Sequence, residues 1–180
     1  MGYKPYDLRS ELRFYKWYHH NPVNAIIHSI FVPSILFTSM CLLSAVPLSF
    51  FSFKINLTQF LTIYFSAFYI LLDKPVGILA TGILILANTI IMKHSELINI
   101  KINLIIFGLS WIFQFIGPGI FEKRKPALVD NVIQSLVMAP YFILFEAIFI
   151  CGGYQSLRRQ LPQDIEEMEK EAKLNALIHC

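Results

Sequence analysis

Charge is what this chain has least of. Only 15% of its 180 residues are Asp, Glu, Lys or Arg, while 56% are hydrophobic and mean hydropathy is +0.57. A soluble domain carries about 25% charged residues, so an ordinary soluble fold is excluded. Cysteine is scarce as well. Cys41, Cys151 and Cys180 show no metal-type spacing, and the first two sit inside apolar runs, which argues against both a zinc site and a disulfide framework. The net charge of +3 comes from local groups and not from an extended basic face, so nucleic acid is not an expected partner. The first sixteen residues lack an apolar core and mix Lys4, Asp7, Arg9, Glu11, Arg13 and Lys16, so they are not expected to act as a cleavable secretory signal. Met1-Gly2 begins like a myristoylation site, but Tyr6 stands where that motif needs Ser or Thr. There is neither an internal repeat nor a low-complexity segment.

What is abundant comes in runs. Residues 25–53, 55–72, 76–92, 102–121 and 132–152 are almost free of charge. A helix needs about 20 residues to cross the hydrocarbon core; the first run is ample, the fourth and fifth fit, and the second and third are marginal. The expected fold class is all-α, a polytopic helical membrane protein with four to six membrane segments. Pro33, Pro47 and Pro140 are expected to kink or break these helices. The expected organisation is an N-terminal segment over 1–24 that starts the site, a membrane domain over 25–153, and a soluble tail over 154–180. That tail reads as a solvated helix with little apolar face. The distribution of basic residues puts the N-terminus in the cytoplasm. Four spans then return the Lys123-Arg124-Lys125 loop to that side. A single crossing by the last run would carry Arg158-Arg159 to the opposite face. A re-entrant hairpin broken near Ala139-Pro140 resolves this conflict.

Two polar clusters interrupt the apolar sequence. The first is Tyr18-His19-His20-Asn21-Pro22-Val23-Asn24, followed by His28. Asn21 suits a helix N-cap and Pro22 a first helical position, so a helix is expected to begin there. Asn24 and His28 then share a face, and His20 projects just ahead of the helix. The two imidazoles can converge on one point, a set that suits iron, zinc, copper or nickel. The same residues also read as an interfacial belt beside Trp17 and Tyr18.

The second cluster runs from Gln114 to Asp130, with Gln134 beyond it. On a regular helix Gln114, position 118 and Glu122 share a face, but Pro118 removes the backbone bond to Gln114. Glu122 suits metal ligation, orientation of a ligand histidine, or a surface pair with Lys123 or Arg124. Glu146 lies inside an apolar run, where a carboxylate must be neutral or partnered. His94 reads as an exposed loop residue and His179 as part of a frayed terminus.

Leu8-Arg9-Ser10, Phe14-Tyr15-Lys16-Trp17-Tyr18-His19-His20-Asn21-Pro22 and Ile27-His28-Ser29-Ile30-Phe31-Val32-Pro33 carry a resemblance. So do Trp111-Ile112-Phe113-Gln114-Phe115 and Phe121-Glu122-Lys123-Arg124-Lys125-Pro126-Ala127-Leu128. Together they resemble the fungal 2-hydroxy fatty acid dioxygenase family, formerly a membrane domain of unknown function. The resemblance extends in order to Phe149 and leaves the tail outside. It implies a multi-pass enzyme of the endoplasmic reticulum membrane that uses Fe(II) and O₂ to shorten 2-hydroxy fatty acids by one carbon, an alpha-oxidation in phytosphingosine breakdown. A 2-hydroxy carboxylate chelates Fe(II) through two oxygens while its acyl chain stays in lipid. The resemblance makes His20 and His28 the iron ligands and Gln114 and Glu122 the candidate catalytic pair. His19, Asn24 and Glu146 stand as supporting or substrate-facing candidates. Pro118 departs from the pattern, which has a histidine there between two glycines, and proline offers a metal no lone pair.

An impaired or inactive relative that binds lipid or acts as a scaffold is the competing reading. A small transporter is disfavoured because the polar residues gather at one face rather than at mid-depth.

Overall fold

Asp7 starts the first helix by accepting a hydrogen bond from the Ser10 backbone N–H at 2.9 Å, and α1 runs Leu8–Tyr18. The computed structural model describes residues 7–19, 21–50, 53–122 and 132–178. Gly2, Tyr6, His20, the basic loop over 123–131 and His179 fall outside that set, as do the side chains of Glu122 and Gln134. Asn21 caps α2 (Pro22–Ser44) by accepting from the Val23 N–H, with Pro22 in the first turn as expected. Pro33 is accommodated inside α2. Pro47 instead begins a strand. β1 (Pro47–Phe50) pairs antiparallel with β2 (Phe53–Asn56), Pro47 opposite Asn56 and Leu48 opposite Ile55.

A capping box of Asn56 and Gln59 starts α3 (Leu57–Leu72). Asp73 ends α3 and caps α4 (Lys74–Lys93) through the Val76 N–H. A 3-10 turn at Ser95–Leu97, where His94 bonds Glu96, leads to α5 (Ile100–Ile116). α5 continues as a π-helical turn over Gly117–Glu122. α6 (Val132–Ile150) and α7 (Gln155–Ile178) complete the chain.

This is an all-α, polytopic helical membrane protein. α2, α4 and the continuous stretch Ile100–Phe121 are each long and apolar enough to span a bilayer, and the bent pair α6–α7 makes a fourth candidate. α3 is apolar but has 16 residues. Ile63, Leu86 and Ile105 are more than 60% exposed, a surface that lipid can cover and water cannot.

Two expectations are corrected. α6 passes through Ala139-Pro140 without a break; the chain turns by 117° after Ile150, where Gly152 has φ +89° and Tyr154 φ +50°. Proline inside a helix costs one backbone bond, whereas a sharp reversal needs the left-handed backbone that glycine takes readily. The tail is not simply solvated. Leu161 and Asp164 are buried in packing against α1, and the Arg9 guanidinium donates to both Asp164 carboxylate oxygens at 2.7 and 2.8 Å.

α3 and α4 pack most closely at Gly77. A Cβ there would strike the Tyr69 carbonyl oxygen and come within 2.5 Å of Ile70 Cα, both main-chain atoms that cannot rotate away. Gly77→Ala is expected to cost about 1–3 kcal/mol. A lowered midpoint of thermal unfolding in detergent checks this, with Gly82→Ala, where the space is open, as the control.

Candidate functional site

α5 turns the spaced polar residues Asn103, Ser110 and Gln114 inward, and that face packs on α2. The two helices run antiparallel: Phe31 stacks on Phe113 at 4.5 Å, and the start of α2 meets the end of α5. The two polar clusters therefore arrive at the same place. Asn21 Nδ2 donates to the Phe121 carbonyl at 3.5 Å. Asn24, fully buried, rests its side-chain oxygen where Gly117 lacks a Cβ.

A cavity of about 330 Å³ opens at this junction, within the usual range for small-molecule sites. His19, His28, Gln114 and Pro118 line its polar end, together with Tyr15 and Trp111. His19 closes α1, and its Nδ1 lies 2.8 Å from the Tyr15 carbonyl, so Nδ1–H donates and Nε2 is the basic nitrogen. Its ring meets His28 edge-on, with centroids 4.3 Å apart at 84°. The imidazole nitrogen Nε2 of His28 and the amide nitrogen Nε2 of Gln114 are buried without a hydrogen-bond partner. Such orphans cost about 1–3 kcal/mol each and commonly mark a place where a ligand or ion completes the bonding. Tyr15 stacks on His19 at 4.2 Å and on Phe142 at 4.5 Å. Burial first, then the Glu146 carboxylate, pushes its phenol pKa up, so it remains a protonated donor.

The π-helical turn follows from Pro118. With no N–H to offer the Gln114 carbonyl, the helix widens, which is the form taken by the disturbance expected of Pro118. Pro118 is buried and still faces the cavity.

Of the candidates read from sequence, His19, His28, Gln114 and Pro118 meet at the cavity, and Asn24 sits behind it against Gly117. Glu146 is not in the cavity wall; it is ion-paired with Lys16 at 2.5 Å and its charge acts on Tyr15. His20 and the Glu122 side chain are outside the described residues. Among the described residues no three His, Cys, Asp or Glu side chains group as a metal set; at the cavity the metal-type donors that meet are His19 and His28. Two imidazoles in contact, one with an orphaned Nε2, fit Fe(II) in donor chemistry.

Tyr15 and Ser135 were not singled out in the sequence. Tyr15 precedes His19 by four on one helix, a spacing that places both on one face and was available to find it. Ser135, whose buried hydroxyl is also unpartnered, gave no signal inside its apolar run.

Residues 6–150 match a family model described as 2-hydroxy-palmitic acid dioxygenase Mpo1-like. The chain is also similar to the 2-hydroxy-palmitic acid dioxygenase MPO1 of Saccharomyces cerevisiae, at 48% identity over 174 residues, covering 97% of this chain and 98% of the yeast protein. No solved structure matches it.

Proposed function

Since the chain belongs to the 2-hydroxy-palmitic acid dioxygenase Mpo1-like family, we propose that it is an Fe(II)-dependent dioxygenase. It shortens 2-hydroxy fatty acids by one carbon in phytosphingosine breakdown. Its place is the endoplasmic reticulum membrane, with the site on the cytoplasmic side. The observation that carries this reading is the cavity, with imidazoles and an amide at one end and an apolar wall beyond.

The oxidation balances without an outside reductant. One 2-hydroxy acid and one O₂ give the acid one carbon shorter, CO₂ and water; the C1–C2 bond breaks and O₂ takes up four electrons. His28 and His19 would hold the iron, with His20 the further ligand that the family resemblance supplies and Glu122 a carboxylate whose chemistry suits ligation. Bound iron contributes the activation of O₂ and a seat for the two substrate oxygens. The protein's own groups do the remainder. The Gln114 amide donor suits a carboxylate oxygen, Tyr15 keeps its proton as a second donor, and the wall of Val32, Ile35 and Leu36 holds the acyl chain and excludes water.

The test is iron content of the purified protein together with O₂-dependent loss of 2-hydroxy palmitate and release of labelled C1 as CO₂. Iron bound with no turnover of any 2-hydroxy acid defeats the reading. Pro118 favours a second one, an impaired relative that has lost a ligand, because it occupies the cavity wall where the resemblance expects an imidazole. Pro118→His separates the two. A rise in iron occupancy and turnover of about tenfold or more marks an incomplete site, whereas a parent chain already holding one iron and turning over equally fast removes the impaired reading.

A further inference from the structure

The cavity's apolar part can be measured along α2. His28, Ser39 and Leu43 all line it, and the advance from position 28 to position 43 is about 22 Å at roughly 1.5 Å per helical residue. Beyond His28, Ser39 is the one polar residue that α2 adds to the wall. α3 supplies the matching end. Thr58 Oγ1 donates to the Met40 carbonyl at 2.6 Å, which sets the first turn of α3 beside the last turns of α2. Leu61 therefore enters the cavity at the Leu43 end, with Phe65 one turn closer to the histidines.

A saturated chain with tetrahedral C–C bonds of about 1.5 Å advances about 1.25 Å per carbon when extended, so sixteen carbons span about 19 Å. With the carboxyl end at His28, the terminal methyl falls between Ser39 and Leu43. We infer that Leu43 and Leu61 form the floor of an acyl channel and set the chain length of the 2-hydroxy acid that the site accepts. This rests on the reading of the site as a 2-hydroxy acid dioxygenase and adds the residues that measure the substrate.

The experiment uses the full chain in phospholipid nanodiscs and 2-hydroxy acids of twelve to twenty carbons, with two readouts: displacement of bound cis-parinaric acid and O₂-dependent shortening. Leu61→Trp and Leu43→Phe raise the floor, so the preference for twelve over sixteen carbons should rise about tenfold in both readouts. Leu43→Ala removes volume and should shift the optimum to longer chains; it keeps the test alive if a bulky variant does not fold. Variants that change all lengths in proportion overturn the floor, as does displacement that is independent of length in the parent chain. Length-dependent displacement that shifts in the variants, with no shortening of any acid, upholds the floor and defeats the dioxygenase reading alone.

Discussion

Replacing His28 by alanine is expected to lower 2-hydroxy acid oxidation at least about 100-fold and to strip most of the bound iron. His28 Nε2 is a buried nitrogen with nothing to bond, set edge-on to His19 at the polar end of the cavity. A nitrogen so placed is worth little to the fold, since it leaves an unpaired lone pair, and worth much to a cation that the lone pair can meet. The loss should therefore appear in metal content and turnover, with the unfolding midpoint level or raised. Iron measured by emission spectroscopy, beside the thermal midpoint, makes the comparison. Unchanged iron with a falling midpoint would return His28 to the role of a packing residue in an interfacial belt.

The second large effect is expected at Gly117. An added Cβ would land on the Asn24 side-chain oxygen, 3.3 Å from Asn24 Cγ and 3.7 Å from His28 Nε2. Asn24 has no exposed surface. Gly117→Ala should cost about 1–3 kcal/mol of stability and, by pushing Asn24 toward His28, reduce turnover about tenfold or more. The collision is with one side chain, so its cost should shrink by about 1 kcal/mol when Asn24 is already alanine. A double-mutant cycle on the unfolding free energy reads this. Equal costs in both backgrounds would mean that Gly117 serves its own backbone and not Asn24.

The membrane architecture was legible because runs of apolar residues near the span length have few other uses. The start of α2 was legible because Asn21-Pro22 is a local signal. The two polar clusters were visible for the same reason: polar groups at the edge of such runs are costly unless employed. What escaped depended on partners far along the chain. That Glu146 needs a partner was legible, but not that Lys16, on α1, supplies the countercharge. The tail looked solvated because Arg9, which holds Asp164, lies 155 positions away. The hairpin after α2 was hidden by hydrophobicity shared between buried helix and strand. The π-helical turn needed one further step, asking where the Gln114 carbonyl goes once Pro118 refuses it.

The grip of Arg9 on Asp164 also bears on parity. It ties α1 to α7, so these two residues belong on one side of a bilayer and the number of complete crossings between them is even. α2 and α5 run in opposite directions with their polar ends together, so the segment between them must leave and rejoin the far side. α4 is long enough for one of those two passages. The other falls to α3, whose 16 residues reach about 24 Å, against a hydrocarbon core of about 30 Å. A stretch that short is matched by local thinning of the bilayer or by flanking side chains that reach for the interface. Those four passages already make an even count, so the pair α6–α7, turned back by 117°, then reads as a re-entrant loop and not as a further span.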